Sequence, residues 1–526
     1  MFLQYGMVEL ENLTNNHTGV KMNAISKEKC IADGELGLQD LFKFVRENAE
    51  SMQAYEMEKN IFRLAQKIAL SGMQYYFAEK GTGDIGPELK LENDLILKRE
   101  NRLHGRDYFS IFGKLKVPRS CYRLEGYCGV MPLDAQADLP DRCYSYLLQE
   151  IMDYLSVRDA FDESKTTLEK ILGLKISSSR FEVVARDTST SYDEFYERKS
   201  PPPPEGEGEF QVLSFDGKGV PVIKRELTEL KARLGKGEKR QKKKEALVGV
   251  SYTVDKKDRS AEDVAKNLIY PDKTQNKPEQ NKVKAQNIRR LASLERKKED
   301  VVDEIIRDAQ VRDPEYRRQW VVLLDGALHL WTLIEGHLKG IEYVGILDII
   351  HVVEYLWLAG NALHGKNETK QTNHWVYKHL LAILEGRVGR VVGGLKQIIT
   401  KRTLNKSQLQ SIKDVIRYFK NHRSWMKYDE YLKAGYPIGT GVVESSCGHT
   451  VKKRMEGSGR RWSIEGAEST LLLRSVYTSG DWDHYWEAHM QRERTLLNQR
   501  MFDGIGYPDD YDTDVDDLYL DRLTGT

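Results

Sequence analysis

Three carboxylates in this chain stand where an apolar run ends and a turn or helix begins. Gln211-Val-Leu-Ser-Phe leads into Asp216-Gly, Trp320-Val-Val-Leu-Leu into Asp325-Gly, and Tyr343-Val-Gly-Ile-Leu into Asp348. Short apolar runs of this kind read as buried strands. In open α/β sheets, ligands bind beyond the carboxyl ends of the strands, so the three side chains are expected to converge on one crevice. Several hard oxygen ligands in one place suit Mg2+ or Mn2+, which favour carboxylate, water and phosphate oxygen. Two such ions can activate an attacking oxygen and stabilise a leaving oxygen at a phosphodiester. Asp-Gly is also a common turn dipeptide, so the weight rests on the joint placement and not on any single aspartate.

Glu444 extends the set. It follows Gly435-Tyr-Pro-Ile-Gly-Thr-Gly, a glycine-rich entry into a helix. With Thr440 as N-cap, Glu444 falls in the first helical turn. A glutamate there is also favoured by the helix dipole alone. Beyond it come Lys452, Lys453 and Arg454, then Gly457-Ser-Gly-Arg460-Arg461-Trp462. A glycine-flanked basic loop ending in an aromatic suits a DNA phosphate backbone and a stacked base. A plain surface loop is the alternative.

These groups need elements to hold them. At 526 residues the chain is too long for one compact core, so two to four domains are expected. Apolar spacing from Leu36 to Glu79 reads as two helices, and Tyr108 to Pro118 as a β-hairpin turning at Gly113. In 145–192 a helix through Ser164 to Leu172 is followed by Gly173. A second helix then starts near Ser179, with Glu182 completing a capping box and Arg180 and Arg186 on board. This reads either as a helix-turn-helix that docks DNA or as an ordinary bundle corner. Pro201–Pro204 reads as a linker and the clearest domain boundary. Strands are expected over 211–216, 246–254, 320–325 and 343–348, a polar loop with some helix over 256–300, and helices without strands over 374–435.

Charge is balanced overall, at formally +1, but not evenly spread. Lys224 to Lys244 carries ten Lys and Arg, and Asp503 to Asp521 holds eight Asp and no base. The first stretch could neutralise phosphates, and the second is expected to be a disordered tail. Five cysteines, odd in number and unevenly spaced, give no disulfide framework and fit a reducing compartment. No apolar run is long enough to span a membrane and no signal peptide is visible, so the reading is cytoplasmic, with nucleoid association following from DNA binding.

LSFDGKG around Asp216, VVLLDGALHLW around Asp325 and YPIGTGVVESSCGH around Glu444 resemble the acidic triad of DDE transposases. The last segment, running into KKRMEGSGRRWSIEGAE and SGDWDHYW, resembles the ISKra family of bacterial insertion sequences, as do EALVGVSYTVD, ILDIIHVVEYLW and LEGRVGRVVGGLKQ. The pair Asp348-x-x-His351 is similar to a motif of Mutator-like relatives. The resemblance covers roughly residues 205–490.

It implies an α/β RNase-H-like catalytic core with a helical insertion, and a mainly helical N-terminal DNA-binding region with a small β-hairpin. It further implies Mg2+ or Mn2+ held by Asp216, Asp325 and Glu444. Terminal inverted repeats would be bound, strands cleaved by water, and ends joined by a DNA 3′-hydroxyl, in a homo-oligomer. His351 then either positions substrate beside the metal, with Asp348, or is a capped core histidine. The implied division is an N-terminal region 1–144, a DNA-binding region 145–200, a core 205–364 and 436–490 split by an insertion 365–435, and a tail from 491.

ISKra-like proteins often carry Cys-x-x-Cys pairs in the N-terminal third. Here Cys128 has only Cys121 nearby, and two thiols cannot close a tetrahedral site, so no zinc is expected. Two rival functions remain: a domesticated DNA-binding protein without catalysis, and an RNase-H-like nuclease that never joins ends.

Overall fold

The computed structural model describes residues 23–91, 94–125, 129–226, 243–271, 284–365, 369–457 and 461–502. Most of the basic stretch (227–242), Cys128, Arg460 and the acidic run from Asp503 lie outside the described residues. The chain forms two compact units. One takes residues up to Ile151 with Leu168–Lys175 and the chain from Met490; the other takes Met152–Thr167 and Ile176–His489. The prolines at 201–204 lie inside the second unit.

The first unit opens with the helices Lys27–Asn48 and Ala54–Lys80. Ser26 caps the first by accepting from the Lys29 amide at 3.2 Å. An antiparallel sheet follows: β1 (Glu88–Lys90), β2 (Ile96–Ser110) and β3 (Gly113–Arg123), in that spatial order. The hairpin closes at Ser110 and Gly113, whose φ of +136° is readily reached only by glycine. Both strands outrun the hairpin read from sequence. Two inward positions of β2 hold His104 and Arg106, which mask the apolar alternation. Arg106 is tolerated there because buried Asp134 sits 3.3 Å away and also pairs with Arg119 at 2.6 Å.

The second unit is built on a mixed five-stranded sheet. Its strands are β4 (Phe210–Pro221), β5 (Lys243–Val254), β6 (Gln286–Ser293), β7 (Gln319–Leu324) and β8 (Tyr343–Leu347), in the order β6-β5-β4-β7-β8. The pairs β4–β5 and β5–β6 are antiparallel, while β4–β7 and β7–β8 are parallel. The helix Lys298–Arg312 makes the crossover from β6 to β7 and buries Val301, Val302, Ile305, Ile306 and Ala309. Residues Phe210 to Phe215 are buried throughout, as a central strand covered on both faces must be.

Strand β6 lies in a stretch that the sequence presents as polar loop. Its outer edge is covered by the helix Ile464–Ser479, whose side chains replace a neighbouring strand. Ser479 and Ser475 hydroxyls accept from the Arg290 and Ala292 amides, both at 2.9 Å. Glu468 accepts from Leu294 at 2.6 Å and from the Ser293 hydroxyl at 2.6 Å. An edge strand finished this way can carry Gln286, Asn287, Arg289 and Arg290 and still be a strand.

From residue 369 to 434 the described chain is helical, with Thr369–Leu384, Val388–Lys401, Lys406–Asn421 and Tyr428–Ala434. Their buried faces, among them Val376, Leu380, Val415 and Phe419, join the core cluster that holds Val321 and Ile346 of the sheet.

Gly173 takes the left-handed conformation, with φ +74°. The next helix is Ser178–Ser189, with Ser177 at the N-cap. The expected capping box does not form: Glu182 accepts from the Ser463 hydroxyl at 3.1 Å instead, drawn to the neighbouring helix Ile464–Ser479. The helix Trp482–Phe502 runs on into the segment read as tail.

Candidate active site

Three parallel strands deliver the three aspartates. β4 pairs with β7 from Phe210↔Gln319 to Leu213↔Val322, and β7 with β8 as far as Leu324↔Leu347. Carrying each register forward brings Asp216 level with Asp325, and Asp325 level with Asp348. Level positions on neighbouring strands share a face. The Asp325 charge is close enough to act on Asp216. Burial pushes the Asp216 carboxyl above its ordinary range, the Cys447 thiol draws it back, and Asp325 pushes it up again.

Asp348 is fully buried and serves as N-cap of the helix Ile349–His364. It accepts from the Ile350 amide at 3.1 Å, the Thr440 amide at 3.0 Å and the Thr440 hydroxyl at 2.7 Å. His351 Nδ1 lies 2.9 Å from Oδ2, the oxygen that also accepts from the Thr440 hydroxyl. That hydrogen bond, ahead of the opposing cost of burial, pushes the imidazole up to about 9.

Glu444 lies in the first turn of Gly441–Ser446, as expected from Thr440. Partial loss of water and then the Asp348 charge raise its carboxyl, against the Thr440 hydroxyl and His351. Ligand atoms of Asp348, His351 and Glu444 all fall within 4.8 Å of one another. The helix then widens into a π turn, Cys447–Lys452, and the Cys447 thiol donates to Asp216 Oδ2 at 3.2 Å. The Glu444 helix is tied to β4 through that contact.

The Asp325 loop is held from the helical segment. Asp325 Oδ1 accepts from the Ala327 amide at 2.9 Å. Gly326 lies against Tyr418, where a Cβ would come within 2.3 Å of the ring, so no larger residue fits without a shift. His422 bridges the Tyr418 and Gly326 carbonyls at 2.8 and 2.9 Å. Sequence reasoning misses Cys447 and His422, since each acts through a partner about a hundred or more positions away, and Tyr418 with them.

The basic segment after Glu444 divides. Lys452, Lys453 and Arg461 are exposed. Arg454 and Trp462, expected on a DNA-facing loop, are instead core residues, at 1% and 7% exposure. The Arg454 guanidinium stacks 4.9 Å from Phe161 and 4.5 Å from Trp462, and donates to the Ser156 carbonyl at 2.7 Å. Trp462 is stapled to the end of β4 by backbone bonds to Pro221 and Ile223. Neither side chain presents a surface to a base or a phosphate.

Arg180 and Arg186 are both half-buried, and Arg186 Nε lies 3.1 Å from the exposed Glu465 carboxylate. Their helix packs Phe181, Val184 and Ala185 inward.

No family model and no curated protein matches the chain. Among solved structures it is similar to the Drosophila P element transposase strand transfer complex, at 9% identity over 69% of this chain and 87% of that one. The TM-score is 0.21, too low to support an argument. No described helix is long and apolar enough to cross a membrane.

Proposed function

We propose that this chain is a DNA transposase of the DDE type, ISKra-like in its motifs, with Asp216, Asp325 and Glu444 as its acidic triad. The observation that carries the reading is the strand register, whose continuation past Leu213↔Val322 and Leu324↔Leu347 would bring Asp216, Asp325 and Asp348 level across three parallel strands. The strand order β6-β5-β4-β7-β8, two antiparallel pairs followed by two parallel ones, supports an RNase-H-like core. Helices inserted before the Glu444 helix support the split arrangement.

The donor set fits a hard divalent ion: the Asp216 and Glu444 carboxyls, raised by burial and then by a neighbouring carboxylate's charge, gain from a cation placed beside them. Asp216, Asp325 and Glu444 would hold Mg2+ or Mn2+. When bound, it supplies the charge that activates an attacking oxygen and stabilises a leaving one. Asp348 keeps the Thr440 turn, and with it Glu444, in place. His351, its Nδ1 proton committed to Asp348, offers its other ring proton to a phosphate oxygen. Exposed Lys452, Lys453 and Arg461, with Arg460 outside the described residues, would neutralise phosphates of the duplex backbone. Arg180 and Arg186 contact element ends, Arg186 by releasing its pair with Glu465. Homo-oligomerisation would bring two ends together.

Strand transfer separates this reading from a nuclease. The purified chain is incubated in Mg2+ with labelled, precleaved duplex carrying the inverted repeats that flank its gene. Joined product is expected; cleavage of intact ends without joining would make the protein a nuclease, and binding without either would make it a DNA-binding relative.

A further inference from the structure

A second cluster of ligand-type side chains lies far along the chain from the acidic site, on the β2–β3 hairpin. Glu100 and His104 belong to β2 and Cys121 to β3, and their ligand atoms all fall within 4.8 Å of one another. Four residues apart in a regular strand, Glu100 and His104 would be separated by about 13 Å. The register instead shifts between Arg99↔Tyr122 and Leu103↔Ser120, so β2 takes four steps where β3 takes two. The excess folds Glu100 back onto His104, bringing Oε2 within 2.7 Å of Nε2. Bulges re-aim side chains in this way and recur beside functional sites.

The cluster is enclosed. His104 is 8% exposed and Cys121 fully buried, with its thiol free of any disulfide. Gly129 packs directly on the sulfur, where a Cβ would lie 2.7 Å from Sγ. The local apolar core is small: Leu91, Leu97, Tyr122 and Val130. Small cores are commonly supplemented by a metal or a disulfide.

We propose that Glu100, His104 and Cys121 bind a zinc ion. Thiolate, imidazole and carboxylate are the ligand types zinc takes, and three of them leave one tetrahedral position for a further donor. Thiolate and carboxylate together balance the charge of the ion. The groups that compete for Glu100 are Arg123 and Arg102, at 3.3 and 3.5 Å. Both guanidiniums are well exposed and can turn to solvent. Counting cysteines misses such a site, because two of its three ligands are not cysteine. The proposal is independent of the transposase reading.

The test is metal analysis of the full chain, expressed with zinc and dialysed, in an Asp325→Asn, Glu444→Gln background that removes the acidic site as a competing binder. One equivalent of zinc is expected, with loss of bound zinc in His104→Gln and Cys121→Ser. Replacement by cobalt should give tetrahedral visible bands and an ultraviolet thiolate-to-cobalt band that disappears in Cys121→Ser. Should that buried substitution prevent folding, Glu100→Gln carries the test, with loss of zinc to a chromophoric chelator that the parent resists. Folded parent that takes up no zinc on reconstitution, or zinc held unchanged by His104→Gln and Glu100→Gln, overturns the site. It would then be an ion-pair cluster beside a buried thiol.

Discussion

Asp348 and Glu444 share one cluster of ligand atoms, yet the fold uses them differently. Asp348 is sealed from water and accepts three hydrogen bonds from Ile350 and Thr440, with His351 against it as well. Glu444 stands at the surface with the Thr440 hydroxyl 3.3 Å away. A carboxylate surrounded by donors organises its neighbours; one left with unsatisfied charge at a rim is available to a ligand. On the proposed reading the site divides into a rigid half, the Asp348–Thr440–His351 corner, and a half left for chemistry, exposed Glu444 with half-buried Asp216 and Asp325.

The largest expected effect follows from that division. Asp348→Ala strands two amides and a hydroxyl in a buried corner and uncaps a helix, and should cost about 3–5 kcal/mol of stability. Glu444→Gln should change it by less than ~0.5 kcal/mol, as surface substitutions do. Urea unfolding of the two variants reads this directly. Equal losses would erase the distinction between the halves.

A second contrast runs along three consecutive basic residues. Arg454→Ala removes a buried side chain sandwiched by Phe161 and Trp462 and should destabilise by about 2–4 kcal/mol. The double variant Lys452→Ala, Lys453→Ala should unfold like the parent but bind duplex DNA more weakly. Its plot of log affinity against log salt should flatten by about two units, roughly one for each lysine that no longer neutralises a phosphate. An unchanged salt slope would remove both lysines from the DNA face.

Asp153 sharpens the comparison most finely, because it is buried as deeply as Asp348 with far less to hold its charge. Burial drives its carboxyl well above the ordinary range; the Thr188 hydroxyl opposes this and the Asp187 charge adds to it. A folded-state value above the unfolded one means that the stabilising contribution is present in acid and is lost as pH rises through the folded value. Asp153→Asn should therefore melt higher than the parent at neutral pH, with the gain shrinking as pH falls toward the ordinary carboxyl range. A gain independent of pH would mean that the Asp153 carboxyl binds its proton equally well in the folded and unfolded chain, contradicting the raised value.

These contrasts also mark what the sequence could convey. The strand-end placement of Asp216 and Asp325 is legible because an apolar run ending in Asp-Gly is a local pattern, and the placement of Glu444 in the turn after Thr440 is likewise local. The fate of Arg454 is not, since its partner Ser156 is 298 positions away and a basic run looks alike whether solvated or enclosed. Strand β6 is hidden because a helix, and not an apolar neighbour, completes its edge. The bend in β2 depends on its pairing with β3, which no single strand reveals, and most of the Lys224-to-Lys244 charge run lies outside the described residues.

The central claim is that the open half does the chemistry. Asp325→Asn keeps shape and the hydrogen bond from Ala327 but removes charge that a divalent ion requires. Such charge acts chiefly in the transition state, so its loss should fall on rate far more than on affinity. Cleavage of labelled element ends in Mg2+, run beside a gel shift on the same DNA, should show binding near the parental level. Cleavage should fall by several powers of ten, each tenfold step corresponding to about 1.4 kcal/mol of lost transition-state stabilisation. Cleavage by Asp325→Asn near the parental rate, with normal binding, would contradict the assignment and leave a protein that holds DNA by other means.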